Sequence, residues 1–454
     1  MKKTLHLITF VILLLGFSAY GQNFVRIEKA NSPESIAITT DQVLEIRLPS
    51  TPSTGYGWYL KNDDRNILVQ TGDEEFVTDN LEYPIGSSGT QIMKYIGTNR
   101  GTKDMEFVYK RPWEKEARDL ETYKITVTSE GAYIGKPVVI ETKEVDQSLQ
   151  KESYSVNGLP SSFSWSALGK CTPCKNQGSC GSCWTFAACG SFESVIKIFD
   201  GVERDLAEQW LVNCDTRFQG CSGGMCPNSM FKSGAVYEVD QPYMAANGTC
   251  KTAPHNERIK NSYSAGGSVA SIKQAIYDYG PVWAAVFVGK NFRDFKPGTV
   301  VTKSDGTSIN HAIVLVGWDD ATSSWILRNS WGTAWGEDGG YMRIKYGISS
   351  VGSNAAYIDY KGKIVHVATS VNHNEPNSSV TLFPNPNEGT FTIEGLEKQN
   401  NIEIYDVVGK MVYKTVSDNS STTINLSSTS KGMYYYKITN LSTNSVKQGK
   451  LAVN

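Results

Sequence analysis

The sequence predicts a multidomain chain with a β-sandwich, a central α+β domain and a small C-terminal β-sandwich. Its 454 residues suffice for two to four domains of ordinary size. Short runs that alternate apolar and polar residues, as half-buried strands do, occupy both ends of the chain. All nine cysteines lie between Cys171 and Cys250, which sets the middle of the chain apart from both ends.

The composition is that of a globular protein and argues against nucleic-acid binding. Hydrophobic residues make up 40% of the chain and charged residues 20%. The 44 basic and 46 acidic residues leave a net charge of −2, so no basic surface is indicated. The chain has only five histidines, none of them among the cysteines, and we expect neither a metal site nor a cofactor.

The N-terminus has the pattern of a secretory signal peptide. Lys2 and Lys3 precede an apolar run at 5–17, and the small residues Ala19 and Gly21 follow. The run is shorter than the roughly 20 residues that span a bilayer. We therefore expect residues 1–21 to be removed, which leaves an exported protein with no membrane span that can keep disulfides.

The first and last domains are each predicted from alternating runs, and polar segments separate them from the middle. Residues 22–130 are predicted to form a β-sandwich, and residues 380–454 a second, smaller one. Residues 131–158 are more polar, with few large apolar groups at 141–155, and the stretch at 368–379 is rich in Asn, Ser and Pro. We interpret residues 131–158 and 361–379 as linkers.

The middle domain, residues 159–360, combines a helix with later strands. Residues 182–201 carry apolar side chains three and four positions apart and end at Gly201, a typical helix stop. Strands are predicted at 282–288, 312–316, 325–327 and 341–344. This order indicates an α+β domain.

Three residues of the middle domain suggest nucleophilic catalysis. Cys183 stands where the predicted helix begins, and the free N–H groups of a helix N-terminus lower the pKa of a thiol. Nine cysteines also leave at least one thiol unpaired. His311 leads into an apolar strand and can act as a base, and the amide of Asn329 can orient an imidazole.

The motifs around these residues resemble those of the papain family of cysteine peptidases, of the cathepsin L-like kind. They are Gln177-Gly178-Ser179-Cys180-Gly181-Ser182-Cys183-Trp184, Gly220-Cys221-Ser222-Gly223-Gly224, Asn310-His311-Ala312 and Asn329-Ser330-Trp331-Gly332. The resemblance covers residues 159–360 and implies a papain-like fold and an endopeptidase that hydrolyses peptide bonds.

The resemblance also implies a role for each matched residue. Cys183 would be the nucleophile, His311 the general base and then the general acid, and Asn329 the residue that orients His311. Gln177 would donate a hydrogen bond to the oxyanion together with the Cys183 N–H. Trp331 would shield the contact between Asn329 and His311 from water.

Substrate-binding residues follow from the same resemblance. Gly223 and Gly224 would let the substrate backbone approach and pair like an added strand. The pocket for the residue before the cleaved one (P2) would be apolar and would prefer a bulky hydrophobic side chain. Its implied lining is Met225, Cys226, Ala285, Ile309 and Ile358.

The disulfides are implied only in part. The family positions pair Cys180 with Cys221 and Cys214 with Cys250. The sequence leaves open the pairing of the other cysteines besides Cys183, for which Cys171–Cys174 with Cys189–Cys226 is one possibility. A redox motif at Cys171-Thr172-Pro173-Cys174 is a weaker interpretation, because no thioredoxin-like pattern surrounds it.

Residues 22–130 resemble chagasin, an immunoglobulin-like inhibitor of papain-family enzymes, and no helical propeptide is evident. The motifs are Thr51-Pro52-Ser53-Thr54-Gly55-Tyr56-Gly57-Trp58, Ile85-Gly86-Ser87-Ser88-Gly89-Thr90 and Arg111-Pro112-Trp113. The family usually has Asn where this chain has Thr51. The resemblance implies three inhibitory loops, with Thr54, Gly55, Tyr56, Gly86, Arg111, Pro112 and Trp113 as their contact residues. Our hypothesis is a built-in inhibitor; a β-sandwich spacer is the alternative.

Residues 380–454 resemble the sorting domain of the type IX secretion system of Gram-negative bacteria. The motifs are Leu382-Phe383-Pro384-Asn385-Pro386, Ile404-Tyr405-Asp406-Val407-Val408-Gly409-Lys410 and Lys431-Gly432-Met433-Tyr434-Tyr435. The resemblance implies the type IX machinery as a partner and release from the cell or attachment to its outer surface. A carbohydrate-binding or adhesion sandwich is the alternative.

The sequence therefore predicts a secreted cysteine endopeptidase whose partners are protein or peptide substrates, its own N-terminal domain and the secretion machinery. Two other functions stay open: a secreted inhibitor of papain-like proteases, and an inert surface-binding homologue. The physiological substrate, the maturation sites and inhibition within or between chains are left open too.

Overall fold

The fold is described from a computed structural model of the chain. The described residues are 23–29, 35–63, 65–82, 84–128, 158–364, 366, 380–397, 399–406, 411–443 and 446–454. The predicted signal peptide and most of both predicted linkers lie outside them. The chain divides into two compact units, Met1–Ile364 and Val365–Asn454. In the described part, no helix is long and apolar enough to cross a membrane.

The N-terminal domain is a sandwich of two sheets, as the alternating runs predict. Its strands are β1 (Asn23–Glu28), β2 (Ser35–Ile38), β3 (Gln42–Ser50), β4 (Gly57–Leu60), β5 (Leu68–Gln70), β6 (Glu75–Thr78), β7 (Gly89–Gly97), β8 (Gly101–Lys110) and β9 (Asp119–Val127). One sheet has the order β1-β3-β7-β5, with β6 also on β7, and the other has the order β2-β9-β8-β4. Leu44, Ile46 and Leu48 on β3 are fully buried in the core between the sheets, because every second side chain of a strand faces the same way.

The central domain is built on a seven-stranded sheet. Its strands are β10 (Ser162–Ser164), β11 (Asn261–Ser264), β12 (Val282–Val286), β13 (His311–Asp319), β14 (Ser324–Arg328), β15 (Tyr341–Lys345) and β16 (Ser353–Asp359). The order is β11-β16-β12-β13-β14-β15, with β10 also paired to β13. Its helices are α1 (Cys183–Asp200), α2 (Glu208–Cys214), α3 (Val269–Tyr279) and α4 (Lys290–Arg293).

The central sheet separates two apolar clusters, which explains why the residues of β13 form a continuous apolar run. Ala312 and Val314 pack in the cluster that contains α1, whereas Ile313 and Leu315 pack in the cluster that contains α3. Both faces of this strand are therefore buried. The predicted helix is α1, and Gly201 ends it in the left-handed conformation (φ +72°).

Two disulfides hold the segments around the start of α1. Cys180 is bonded to Cys221 and Cys214 to Cys250, the two pairs that the resemblance implies. The other five cysteines are free thiols in the structure.

The further pairing considered from the sequence, Cys171–Cys174 with Cys189–Cys226, is not formed. Cys189 lies on α1 beside the charges of Glu208 and Lys175, whereas Cys226 lies near Arg217. The thiols of Cys171 and Cys174 both contact the Tyr341 hydroxyl and are not bonded to each other. Sequence spacing alone did not reveal these separate environments.

The C-terminal unit is a second, smaller pair of sheets. Its strands are β17 (Thr381–Phe383), β18 (Thr390–Glu394), β19 (Asn400–Tyr405), β20 (Met411–Ser417), β21 (Ser421–Asn425), β22 (Gly432–Asn440) and β23 (Val446–Val453). The sheets have the orders β17-β18-β21 and β20-β19-β22-β23. Phe391, Ile402 and Ile424 are among the side chains of its own core, so the predicted sandwich is confirmed.

Candidate active site

The thiol of Cys183 lies at the first residue of α1, where the sequence places it. Burial raises the pKa of this thiol to about 12, although the backbone N–H groups of Ala312, Trp184 and Cys183 itself act in the opposite direction. The helix N-terminus therefore favours the thiolate, but exclusion of water outweighs it here. In this arrangement Cys183 is a neutral thiol at neutral pH.

His311 begins β13 and is held by Asn329. The two residues are joined by a hydrogen bond of 2.8 Å between Nε2 and Oδ1. Because Nε2 donates to the amide oxygen, Nδ1 is the acceptor of the neutral ring, and it is buried without a hydrogen-bond partner among the described residues. Burial lowers the pKa of His311 to about 4, partly offset by the bond to Asn329. The indole of Trp331 stacks on the imidazole with ring centres 5.3 Å apart.

Gln177 is buried and held beside the start of α1. Its Nε2 donates to the Cys180 carbonyl (3.0 Å), and its Oε1 accepts a hydrogen bond from the Ser330 hydroxyl (2.7 Å). The Ser330 N–H in turn donates to Asn329 Oδ1 (2.8 Å). Gln177 and Asn329 are thus connected through one intervening residue, so the two amides are oriented together.

A side chain of the N-terminal domain shares an apolar cluster with the residues that the resemblance assigns to the P2 pocket. Ile85 is fully buried and belongs to the same apolar cluster as the five residues that the resemblance assigns to the pocket. Those residues are Met225, Cys226, Ala285, Ile309 and Ile358.

Main-chain hydrogen bonds join the loop that contains Ile85 and Gly86 to the central domain. The Gly224 N–H donates to the Ile85 carbonyl, and the Gly86 N–H donates to the Asn310 carbonyl, each at 2.9 Å. Gly86 has φ +87°, and a Cβ placed there would lie 2.0 Å from the Gly181 carbonyl oxygen. Only glycine at residue 86 allows the loop to approach Gly181 this closely. Gly223, which precedes Gly224, also has a positive φ. Among the described contacts it makes no hydrogen bond to this loop.

The loop at 51–55 covers the thiol itself. The Ser53 carbonyl accepts a hydrogen bond from Trp331 Nε1 (2.8 Å), and its hydroxyl lies beside the Cys183 thiol and lowers the thiol pKa. A Cβ at Gly55 would lie 2.6 Å from Trp113 and 3.1 Å from Trp331, so this turn also requires glycine.

Thr51 stands where the resembled family usually has Asn, and it still supports the loop. Its carbonyl accepts hydrogen bonds from the Thr54 N–H (3.0 Å) and the Thr54 hydroxyl (2.6 Å). Its own hydroxyl bonds to that of Ser88 (3.1 Å). The substitution therefore leaves the turn internally hydrogen-bonded.

The third loop contributes one cation and one aromatic ring. Arg111 is buried, and its guanidinium donates to the Asn176 side chain (3.2 Å) and the Gly178 carbonyl (3.0 Å) of the central domain. Trp113 stacks on Trp331 with ring centres 5.4 Å apart. Between them, Pro112 lies partly buried at the turn.

Tyr56 has a different place from the other loop residues. Its ring lies under the Arg111 guanidinium at 4.8 Å, and its hydroxyl contacts Glu114 within the N-terminal domain. It therefore supports the third loop from behind.

Several contact residues were not found from the sequence. Ser53 and Ile85 stand inside quoted motifs, but nothing in a motif tells which member faces the thiol or enters a pocket. The pair Glu74–Arg293, joined at 2.9 Å between Oε1 and Nη2, lies outside every motif. The acidic run Asp73-Glu74-Glu75 was the one feature of the sequence that could have indicated this ion pair. The run indicates no contact unless its partner Arg293 is known.

Three parts of the chain match models of known protein families, in the order that the motifs predict. Residues 37–127 match the chagasin family of peptidase inhibitors (I42). Residues 159–360 match the papain family of cysteine proteases, and residues 381–454 match the secretion system C-terminal sorting domain.

Similar proteins are plant cysteine proteases. A senescence-specific cysteine protease of Oryza sativa is 35% identical over 225 residues, covering 47% of this chain and 66% of the relative. Ananain of Ananas comosus is 38% identical over 213 residues, covering 44% of this chain and 59% of ananain. The chain thus spans less than two thirds of the length of these relatives. A solved structure of the bromelain protease from Ananas comosus with the E64 inhibitor is 33% identical, covers 45% of this chain and all of that chain, and has a TM-score of 0.42.

Proposed function

Because residues 159–360 belong to the papain family of cysteine proteases, we propose that this chain is a cysteine endopeptidase that its own N-terminal domain keeps closed. The observation that carries this proposal is a joint one. Cys183 begins a helix beside a histidine–asparagine pair, and the loops of a chagasin-family domain lie directly over its thiol.

In the open enzyme, Cys183 and His311 would carry out acyl transfer. His311 Nδ1 takes the thiol proton, and the thiolate attacks the peptide carbonyl carbon. The imidazolium then protonates the leaving amine as the C–N bond breaks, which leaves a thioester on Cys183. A water molecule gives a proton to His311 and attacks the thioester, which releases the acid and restores the thiol. The hydrogen bond that His311 Nε2 donates to Asn329 Oδ1 keeps Nδ1 free for each transfer.

Gln177 would stabilise the charge that develops on the carbonyl oxygen. The bond from Ser330 fixes the amide, so little reorganisation is needed in the transition state. The Cys183 N–H at the helix start would be the second donor.

We infer a preference for a bulky aliphatic or aromatic residue at P2. The five residues of the implied pocket are apolar or weakly polar, and the fully buried side chain of Ile85 belongs to the same apolar cluster. A charged P2 residue would lose hydration there with no partner to replace it.

Self-inhibition would act in two ways: the N-terminal domain would occupy the substrate cleft, and it would exclude water from Cys183 and His311. The Ile85–Gly86 segment forms main-chain bonds with Gly224 and Asn310, as a substrate strand would. Burial, to which the loop at Ser53 contributes, keeps the Cys183 thiol and the His311 ring neutral, so the reactive ion pair does not form. A tethered inhibitor also acts at an effective concentration in the millimolar range when its linker spans the two sites.

The C-terminal unit would serve export. Its match to a secretion sorting domain supports passage through a type IX system and a location outside the cell or on its surface.

Peptidase activity of the full chain and of its Gly86→Val variant tests this function. The substrate is a fluorogenic peptide with leucine at P2, assayed in mild reductant at about pH 6, with Cys183→Ala as the blank. We expect little activity from the full chain and clear activity from Gly86→Val. Replacing Gln177 by Ala in the Gly86→Val chain should lower kcat about 100-fold. An inert homologue would leave every variant, folded by circular dichroism, at the level of the blank.

A further inference from the structure

Arg293 is a cation of the central domain that is buried by the N-terminal domain. It ends α4 and is 3% exposed. Its Nη2 contacts Glu74 Oε1 at 2.9 Å, and its Nε donates to the Tyr59 hydroxyl at 3.2 Å. Gly57 also approaches the guanidinium, because a Cβ there would lie 2.9 Å from it. All three neighbours belong to the N-terminal domain.

Arg293 lies next to the tryptophans that flank the catalytic histidine. Its neighbour Phe292 stacks on Trp335 with ring centres 5.8 Å apart, and Trp335 packs against Trp331 at 4.8 Å. Gly224 and the P2 pocket belong with the other apolar cluster. We call the part at Gly224 the acyl side of the cleft and the part at Trp331 and Arg293 the leaving-group side.

The loops of the N-terminal domain cross these two sides in order: the Ile85 carbonyl accepts a hydrogen bond from the Gly224 N–H, Ser53 lies beside Cys183, and the Ser53 carbonyl accepts one from Trp331. A substrate that follows the same path would pair with Gly224 before the cleaved bond and pass Cys183 towards Trp331. The residues that follow the cleaved bond therefore come near Arg293.

The charges on the leaving-group side are complementary across the interface. The N-terminal domain contributes Asp73 and Glu74, and the central domain contributes Lys303 and Arg293. Asp294 is the acidic group that directly follows α4, and it contacts Lys290 and the Tyr59 hydroxyl. In the closed cleft, Glu74 thus places a carboxylate on the Arg293 guanidinium.

We propose that Arg293 is a specificity residue that selects an acidic side chain within the first residues after the cleaved bond, and that Glu74 imitates this side chain in the closed chain. The proposal rests on the proposed endopeptidase function and adds a substrate class to it. When the N-terminal domain leaves, the guanidinium loses Glu74 and Tyr59 together. A carboxylate satisfies its N–H donors with charge-assisted hydrogen bonds, which a neutral amide does only weakly.

The test uses the full chain carrying Gly86→Val, which should leave the cleft open. Two internally quenched peptides share leucine at P2 and differ only after the cleaved bond, where one has two glutamates and the other two glutamines. We expect kcat/KM to be about tenfold higher for the glutamate peptide, the effect of one hydrogen bond to a charged group. The ratio should fall as salt is added.

Variants assign the preference to Arg293. Added to Gly86→Val, Arg293→Gln should bring the ratio of the two kcat/KM values close to one. Arg293→Lys should keep part of the preference. Arg204→Gln is the matched control, because Arg204 is exposed and pairs with Glu257 away from these contacts, and it should keep the full ratio.

The outcomes separate this inference from the proposed function. Equal cleavage of both peptides by Gly86→Val, or a tenfold ratio that survives Arg293→Gln, would overturn the role of Arg293 and leave the peptidase intact. Cleavage of neither peptide by the folded Gly86→Val chain would overturn both proposals.

Discussion

On the acyl side of the cleft, the N-terminal domain is held by main-chain hydrogen bonds, whereas on the leaving-group side it is held by side chains. The acyl side has the bonds of Gly224 and Asn310 to the Ile85–Gly86 segment. The leaving-group side has the stack of Trp113 on Trp331 and the ion pair of Glu74 with Arg293.

This difference has a consequence for how each side responds to substitution. Main-chain bonds do not depend on the side chains that flank them, but they require the close approach that glycine allows. Stacking and ion pairing depend on the identity of each residue and tolerate small shifts. We therefore expect steric changes on the acyl side to open the cleft fully and single deletions on the leaving-group side to weaken closure by degrees.

The largest effect is expected from Gly86→Val. The new Cβ would lie 2.0 Å from the Gly181 carbonyl, so the loop must withdraw from the cleft. The cost of this clash, typical of overpacking, destabilises the closed form, so peptidase activity should be about 100-fold higher than that of the unsubstituted full chain. The matched control is Gly72→Val, because Gly72 has a similar φ (+74°) and no atom within 4 Å of a Cβ. If both variants gain activity equally, backbone strain and not contact with Gly181 opens the cleft.

A smaller gain is expected from Trp113→Ala. The substitution removes the stack on Trp331 but leaves the acyl-side bonds in place. Activity of the full chain should rise roughly 10- to 30-fold, as for a buried aromatic anchor at an interface. Phe24→Ala, which truncates an exposed aromatic side chain of the same domain, should change nothing. A gain as large as that of Gly86→Val would remove the distinction between the two sides.

The smallest effect is expected from pH. Burial holds the pKa of His311 at about 4 in the closed chain, below its ordinary value of 6.5. A depressed pKa stabilises the closed form above pH 6.5, and this contribution is lost as pH falls towards 4. If the ring titrates normally once open, the opening equilibrium should rise about fourfold between pH 8 and pH 6. Hydrogen exchange of the Gly86 and Gly224 amides measures it, and slower exchange at pH 6 than expected from intrinsic rates would contradict this linkage.

The fold was largely predictable from the sequence because its signals are local. Alternation marks the strands of both sandwiches, and the spacing of apolar residues up to Gly201 marks α1. The free thiols were not predictable, since the distance between Cys189 and Cys226 depends on how α1 packs against distant loops.

The candidate site also has residues that the sequence predicted and residues that it could not predict. Cys183, His311, Asn329 and Gln177 stand in motifs. In the structure His311 bonds to Asn329, Ser330 links Asn329 to Gln177, and the Cys183 thiol contacts the backbone of Ala312, next to His311. Arg293 could not be found, because its meaning depends on Glu74, which is far away in sequence and meets it only when two domains dock. Ile85 adjoins Gly86 in a motif, yet its burial in the apolar cluster of the central domain follows from the docked arrangement alone.

The most direct test of closure is the reactivity of the Cys183 thiol in the full chain. Iodoacetamide labelling at pH 8, read by mass spectrometry of the peptide that contains Cys183, should be compared with labelling of the Gly86→Val chain. A buried thiol with its pKa raised to about 12 should react at least about 100-fold more slowly in the full chain. Equal labelling rates in the two chains would contradict the claim that the N-terminal domain closes the cleft over Cys183.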